Sequence, residues 1–274
     1  MLAGSIHMYE LSRYNVRVTG RGPRTLVLAH GYGCDQNMWR FITPAFEREF
    51  RIITFDYIGH GGSDASAFDH DRYATLEGYA DDVVRICKAL AVRNAVFIGH
   101  SVSAMIGILA SRKAPECFES LILIGPSPCY INDAEYHGGF TRADIDSLLE
   151  QLDSNHLGWS ASMAPAIMGN PERPELGTEL ANSFCRTDPE VARHFARVTF
   201  LSDNRSDLPN VANRCLVLQC AEDIIAPVTV GKYVQQKIPG SELVLLRATG
   251  HCPHLSAPRE TIEAIKSFLA AGRP

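Results

Sequence analysis

The sequence lacks the features that mark membrane, secreted and nucleic-acid-binding proteins. No apolar run approaches the roughly 20 residues that a membrane-spanning helix needs, and residues 1–7 lack the basic and then apolar order of a secretory leader. Lysine and arginine do not cluster, and 26 of them against 31 acidic residues give a net charge of −5. Such a surface argues against binding to nucleic acid or to an anionic membrane. We therefore expect a cytoplasmic protein with small or neutral partners.

The eight cysteines form no Cys-x-x-Cys pair, and most of them lie in apolar strings. This favours small buried side chains in a reducing compartment over disulfides. One run, His251-Cys252-Pro253-His254, resembles part of a metal site, but no second group of ligands at a suitable spacing accompanies it. We therefore expect no metal and no cofactor.

Short aliphatic runs alternate with longer amphipathic stretches, which is typical of an α/β fold with a mostly parallel sheet and crossover helices. The runs predict strands at residues 16–19, 25–29, 51–55, 95–98, 121–124, 215–219 and 243–246. Apolar spacing predicts helices at residues 37–47, 76–90, 102–113, 228–237 and 261–269. The length of 274 residues suits one large α/β domain with an insertion, or two small domains.

The alternation stops after Pro128, and residues 130–204 contain no convincing strand. Four helical patches replace it, separated in part by Gly169-Asn170-Pro171 and Asp188-Pro189, where proline follows a turn former. We predict that residues 1–129 and 205–274 form the core. Residues 130–204 would then be an inserted four-helix cap.

The motif Gly99-His-Ser-Val-Ser103 follows a predicted strand directly and precedes a predicted helix. This is the setting of a nucleophile elbow, a tight turn that exposes a serine hydroxyl at the start of a helix. Ser103 stands where glycine is commoner, but serine is still small. Ser101 is therefore a candidate nucleophile, and simple capping of the helix is the alternative.

A serine hydroxyl needs a base within hydrogen-bond reach and a third group that orients the base. In this fold the partners follow in the order Ser, Asp or Glu, His. Asp223 and His251 fit, since each follows a predicted strand at its carboxyl end, where open α/β sheets place their ligands. Glu222 is the competing acid. The competing bases, which we expect to be structural or solvent-facing, are His30, His100 and His254.

Acyl transfer also needs hydrogen-bond donors for the oxyanion. One is usually the N–H after the nucleophile, here Val102, and the other an N–H from the loop after an early strand. The glycine-rich turn at residues 30–33 follows the second predicted strand, and Tyr32 is the natural donor there. An ordinary glycine-rich turn is the alternative.

These passages are similar to the α/β-hydrolase family, and more narrowly to the bacterial stress regulators of the RsbQ type and the plant strigolactone and karrikin receptors. The similarity runs from residues 30–39 through 99–104, 125–133, 138–140, 200–203 and 219–227 to 250–256, so it covers the core and the insertion. By that resemblance Ser101 matches the nucleophile, Asp223 the acid and His251 the base. Tyr32 and Val102 match the oxyanion donors, and the family often has phenylalanine at the position of Tyr32.

The resemblance also implies a pocket and two functions. Phe140, Trp159 and Phe195 match cap positions that line an apolar pocket, with packing inside the cap as the alternative. One function is hydrolysis of a small apolar ester or lactone through an acyl-enzyme. The other is ligand sensing, read out by a partner such as a PAS-domain phosphatase of the sigma-B pathway type. Candidate partner contacts are the cap charges Glu150, Arg173, Glu175, Glu179, Arg186 and Glu190. The alternative to a partner contact is an ordinary solvated helix face.

Overall fold

A computed structural model describes residues 11–272, so the expectation about a leader in residues 1–7 lies outside it. Its strands are β1 (Arg17–Thr19), β2 (Arg24–Ala29), β3 (Phe50–Thr54), β4 (Ala95–His100), β5 (Phe118–Ile124), β6 (Arg214–Glu222) and β7 (Glu242–Thr249). They form a sheet in the order β1-β3-β2-β4-β5-β6-β7, in which only β1 is antiparallel to its neighbour. The predicted mostly parallel sheet is confirmed.

Helices cover both faces of this sheet. They are α1 (Leu76–Ala89), α2 (Val102–Lys113), α3 (Arg142–Ser154), α4 (His156–Met168), α5 (Pro174–Arg186), α6 (Pro189–Phe200), α7 (Val228–Lys237), α8 (Pro253–Ser256) and α9 (Pro258–Ala271). The helix predicted at residues 37–47 is wrong. Two short 3-10 turns, Gln36–Trp39 and Thr43–Ala45, occupy it. Pro44 lacks an N–H and its ring collides with the preceding turn, so an uninterrupted helix cannot pass through it.

The two faces of the central strands fill two separate apolar cores. Along β2, Val27 belongs to the core that includes residues of α1 and α2, whereas Leu26 and Leu28 belong to the core that includes residues of α9. Successive side chains of a strand point to opposite faces, and a parallel sheet covered on both sides is therefore apolar at every position. Burial of both faces fixes the strand ends, beside which the candidate residues Ser101, Asp223 and His251 lie.

The helices α3 to α6, here called the cap helices, are inserted between β5 and β6 and confirm the four predicted patches. Thr141 and Asp144 form a reciprocal capping box at the start of α3, and the Asp188 side chain caps α6. Gly169 ends α4 in the left-handed conformation. The turn formers read in the sequence therefore lie between helices.

All eight cysteines lie in the described part of the chain and none is in a disulfide. Seven are buried, as predicted, and Cys185 is exposed. None of the helices described is long and apolar enough to cross a membrane.

Candidate active site

Ser101 occupies the sharp turn between β4 and α2. Its backbone, with φ 58° and ψ −123°, is a conformation that costs free energy for a residue with a side chain. The turn is held by the Ser101 N–H, which donates to the Ile124 carbonyl at 2.8 Å. It is also tight, because a Cβ on Gly99 would lie 2.4 Å from the carbonyl oxygen of Ser103. The Ser103 hydroxyl forms a hydrogen bond of 2.7 Å with the Tyr57 hydroxyl and donates to the His30 carbonyl.

Ser101, His251 and Asp223 form a continuous chain of hydrogen bonds. The Oγ of Ser101 lies 2.8 Å from Nε2 of His251, and Nδ1 of His251 lies 2.7 Å from Oδ2 of Asp223. The second carboxylate oxygen of Asp223 accepts from the N–H groups of Ile225 and Ala226. An ionised carboxylate only accepts hydrogen bonds, so it holds the imidazole proton on Nδ1. This leaves Nε2 free to accept the serine proton.

The competing acid and bases proposed from the sequence do not belong to this chain of hydrogen bonds. The side chain of Glu222 is exposed at the end of β6. His30 donates from Nδ1 to the Gly31 carbonyl and accepts at Nε2 from the Tyr57 N–H, so both ring nitrogens are engaged. His100 donates from Nε2 to the His251 carbonyl at 2.8 Å. His30, His100 and His254 are all buried, so they are structural rather than solvent-facing.

Burial keeps two of these histidines neutral. It lowers the pKa of His254 to about 3 and that of His100 well below its usual range. Ligating atoms of His100, Cys252 and His254 lie within 4.8 Å of one another. The sequence analysis did not foresee that His100 would join the other two. A tetrahedral metal site takes four ligands, and the described residues supply three there. The expectation of no metal stays a prediction.

The candidate oxyanion donors flank Ser101. Val102 is the first residue of α2, so its N–H is one of those that the helix leaves without an intrahelical acceptor. The turn that carries Tyr32 runs beside the serine, since a Cβ on Gly31 would lie 3.3 Å from Ser101 Cβ. Among the described residues, the Tyr32 N–H donates to no backbone carbonyl. Two N–H groups thus remain available next to the hydroxyl.

A narrow cavity of about 30 Å³ lies between this site and the cap helices. Its apolar wall includes Tyr130, Leu148, Trp159, Met163, Ile167, Leu180, Phe184, Phe200 and Ile225. Trp159 stacks on Phe184 with ring centroids 5.7 Å apart. Of the three cap aromatics expected at the pocket, Trp159 is therefore present.

Phe140 and Phe195 do not line this cavity, and their expected place at a substrate pocket stays a prediction. Phe195 is fully buried and stacks on Tyr79 at 4.5 Å, because its position on α6 faces α1 of the core. Phe140 pairs its backbone with Tyr130 and Asn132 instead. Periodicity alone does not say which apolar face of a cap helix meets the core and which meets the cavity.

Tyr130 is the wall residue that the sequence analysis missed most directly. Burial raises the pKa of its phenol, against the opposing effect of its hydrogen bond with Ser101. A signal existed, since Tyr130 follows β5 at the same edge of the sheet as Asp223 and His251. Ligand contacts concentrate at that edge.

Comparisons with known proteins agree with this arrangement. Residues 26–264 match the model of the Alpha/beta hydrolase family. The chain is 38% identical to strigolactone esterase D14 of Arabidopsis thaliana, covering 94% of this chain and 97% of that protein. It is 37% identical to Karrikin insensitive 2 receptor CA of Petunia hybrida, over 92% and 94%.

A solved structure gives the same result. The hydrolase olei00960 of Oleispira antarctica superposes with a TM-score of 0.94 at 43% identity, covering 96% of this chain and 97% of that one. The match includes the cap helices as well as the sheet, since so little of either chain is left out. The chain therefore belongs to the alpha/beta hydrolase family.

Proposed function

We propose that this protein is a serine hydrolase that cleaves small esters or lactones through an acyl-enzyme on Ser101. The observation that carries the proposal is the unbroken chain from Ser101 through His251 to Asp223, with steps of 2.8 and 2.7 Å. The relatives support the reaction class, since one is named an esterase and the solved neighbour a hydrolase.

The first half-reaction follows from the positions of the atoms. Oγ of Ser101 attacks the substrate carbonyl carbon while Nε2 of His251 takes the hydroxyl proton. Asp223 stabilises the imidazolium that forms, and the N–H groups of Tyr32 and Val102 donate to the oxyanion. Collapse breaks the carbon–oxygen bond, and the alcohol leaves with the proton from His251. For a lactone the alcohol stays attached to the acyl group.

The second half-reaction uses the same groups with water as the nucleophile. His251 takes a proton from water as its oxygen attacks the acyl carbon, and the collapse returns that proton to Oγ of Ser101. The acid is released and the hydroxyl is restored.

We further propose that residues 130–204 act as a lid over the core formed by residues 1–129 and 205–274. The cap helices supply half of the residues that line the cavity, among them Trp159 on α4, Phe184 on α5 and Phe200 on α6. A volume of about 30 Å³ holds only about two water molecules. Small apolar acyl groups therefore fit with slight movement of the cap, and long lipid chains do not.

The test compares p-nitrophenyl acetate with p-nitrophenyl laurate. We expect hydrolysis of the acetate and a much slower reaction of the laurate. Ser101→Ala removes the attacking atom and should lower kcat by a factor of about 10⁶. Ser111→Ala is the matched control, since Ser111 is buried in α2, the helix that Ser101 precedes, and donates to the Ile108 carbonyl. Wild-type turnover of acetate by Ser101→Ala would refute the proposal.

A second candidate, ligand sensing with slow hydrolysis, is favoured by the receptor names of the relatives. Turnover separates the two. A kcat near the enzyme median of about 10 s⁻¹ indicates metabolism, and one event in several minutes indicates sensing. A phosphatase of the sigma-B pathway type is the proposed partner in that case.

We propose that such a partner contacts the cap charges that have no ion pair within the described chain. Four of the six cap charges singled out in the sequence contact the core or adjacent chain instead of standing free: Glu179 with Arg40, Arg186 with Asp35, Glu190 with His70, and Arg173 with the Ser256 carbonyl. Glu150 and Glu175 are exposed and make no ion pair among the described residues. A pull-down from the native cell with Glu150→Lys/Glu175→Lys tests the surface. If the variant and the wild type capture the phosphatase equally, Glu150 and Glu175 are not part of the binding surface.

A further inference from the structure

Two residues of the cavity wall carry buried hydroxyl groups that have no hydrogen-bond partner among the described residues. The phenol of Tyr32 and Oγ1 of Thr199 are both buried, and neither forms a hydrogen bond within the described part of the chain. Both residues belong to the cavity wall. Thr199 lies in α6, where a threonine hydroxyl ordinarily bonds the carbonyl one turn earlier, yet it does not do so here.

Tyr32 is surrounded by aromatic rings that cannot accept a strong hydrogen bond. The ring centroids of Phe184, Phe195, Trp159 and Phe200 lie 5.7 to 6.2 Å from its own. Burial raises the pKa of the phenol, so it stays protonated and keeps a proton to donate. A buried donor without an acceptor destabilises the protein, and a bound oxygen atom that accepts the bond removes that cost.

Building on the hydrolysis proposed above, we propose that Tyr32 selects substrates whose acyl part carries an acceptor oxygen away from the scissile carbonyl. A keto or ether oxygen in a short acyl chain, or the equivalent oxygen of a substituted lactone, has this chemistry. Thr199, on α6 of the cap, offers a second polar contact. Apart from these two hydroxyls, Ser101, His100, His251 and the Tyr130 phenol, the wall is apolar, so a substrate of this class is apolar apart from its scissile bond and one or two further oxygens.

The backbone of Tyr32 and its phenol have separate roles, and a substitution separates them. Tyr32→Phe keeps the N–H that is proposed to bind the oxyanion and removes only the hydroxyl. Tyr79→Phe is the matched control, because the Tyr79 hydroxyl is also buried and unpartnered but does not line the cavity.

The experiment measures a ratio of kcat/KM values for two matched pairs of p-nitrophenyl esters. One pair is 4-oxopentanoate and 4-methylpentanoate, and the other is 3-methoxypropanoate and pentanoate. In each pair an oxygen replaces a carbon group of similar size. We expect Tyr32→Phe to lower the oxygenated-to-alkyl ratio about tenfold for at least one pair. Thr199→Val should lower it less, and Tyr79→Phe should leave it within about twofold.

A binding measurement keeps this inference separate from the hydrolysis on which it rests. Affinities of the methyl esters of the same acids are measured by calorimetry in Ser101→Ala and in Ser101→Ala/Tyr32→Phe, where no bond is cleaved. If Tyr32→Phe lowers the ratio of the oxygenated to the alkyl affinity, the inference is supported. This holds even if the wild type hydrolyses no ester, a result that would refute only the proposed function. Ratios that are the same with and without the phenol, in both kinetics and binding, overturn the inference and leave the hydrolase intact.

Discussion

The backbone N–H of His251 donates a 2.8 Å hydrogen bond to the carbonyl of Ile167, in the last turn of α4. Two further bonds join the same segments. Thr249 Oγ1 donates to the Gly169 carbonyl, and Asn170 Nδ2 donates to the Thr249 carbonyl. The loop that presents the proposed base is therefore held by the cap. Movement of α4 relative to the core would change the position of His251.

Gly250 makes this contact possible, which leads to the first prediction. Its φ is +81°, and a Cβ there would lie 1.8 Å from the Met168 carbonyl oxygen. Gly250→Ala should lower the free energy of unfolding by about 3 kcal/mol and also lower kcat, because the loop must move away from α4. Urea unfolding and p-nitrophenyl acetate kinetics measure the two effects.

Gly240→Ala is the control for backbone strain alone. Gly240 also has a left-handed φ, +67°, but no heavy atom lies within 4 Å of its added Cβ. Its cost should be about 1–2 kcal/mol, with no change in kcat. Equal destabilisation by the two substitutions would show that contact with the cap is unimportant at Gly250.

The second prediction concerns the acid. Asp223→Asn should lower kcat by a factor of about 10⁴, less than His251→Ala, because an asparagine still occupies the site but no longer enforces the proton on Nδ1. Glu222→Gln, at the neighbouring exposed carboxylate, should leave kcat within about twofold. If Glu222→Gln lowered kcat more than Asp223→Asn does, the assignment of Asp223 as the acid would be wrong.

The third prediction is a loss of stability in mild acid. Burial lowers the pKa of His60 and of His254 to about 3, so the unfolded chain binds protons there that the folded chain does not. Stability then falls as the pH drops below the unfolded value near 6.5 and continues to fall towards pH 3. At pH 5.5 each histidine should cost about 1.4 kcal/mol relative to pH 8.

Urea unfolding at pH 8 and pH 5.5 measures this difference. Asp133 and Asp203 pair with Arg205, which lowers the pKa values of both carboxyl groups. Their contribution to stability is lost only at lower pH, so it does not affect this comparison. His254→Gln should reduce the difference by about 1.4 kcal/mol, and His137→Gln, at an exposed site, should leave it unchanged. A stability that is the same at both pH values would contradict the assignment of neutral buried histidines.

Much of the fold could be read from the sequence because its patterns are local. Residues 102–113 and 228–237 were predicted to be helices with the bounds that the structure has, since Ser101 and Pro227 mark their starts. The strands β5 to β7 are longer than predicted, as polar residues such as Glu119 and Arg247 lie within them at exposed positions. A search for apolar runs stops at such residues.

The site could be read only in part, because its remaining features depend on how distant segments dock. The order of Ser101, Asp223 and His251 along the chain pointed to the residues that the structure brings together. Nothing local indicated that Phe195 would turn to Tyr79 while Phe200 faces the cavity. The bond from His251 to Ile167 joins residues 84 positions apart in different parts of the fold, a contact that no periodicity encodes.

The most direct test of the central claim is the mass of the protein after reaction with a fluorophosphonate probe. Such probes label an activated serine, and the account predicts one adduct per chain, mapped by peptide mass to the segment that contains Ser101. His251→Ala should slow the labelling, Ser101→Ala should abolish it, and Ser111→Ala should label as the wild type does. Labelling of Ser101→Ala at the wild-type rate, or an adduct on another serine, would contradict the account.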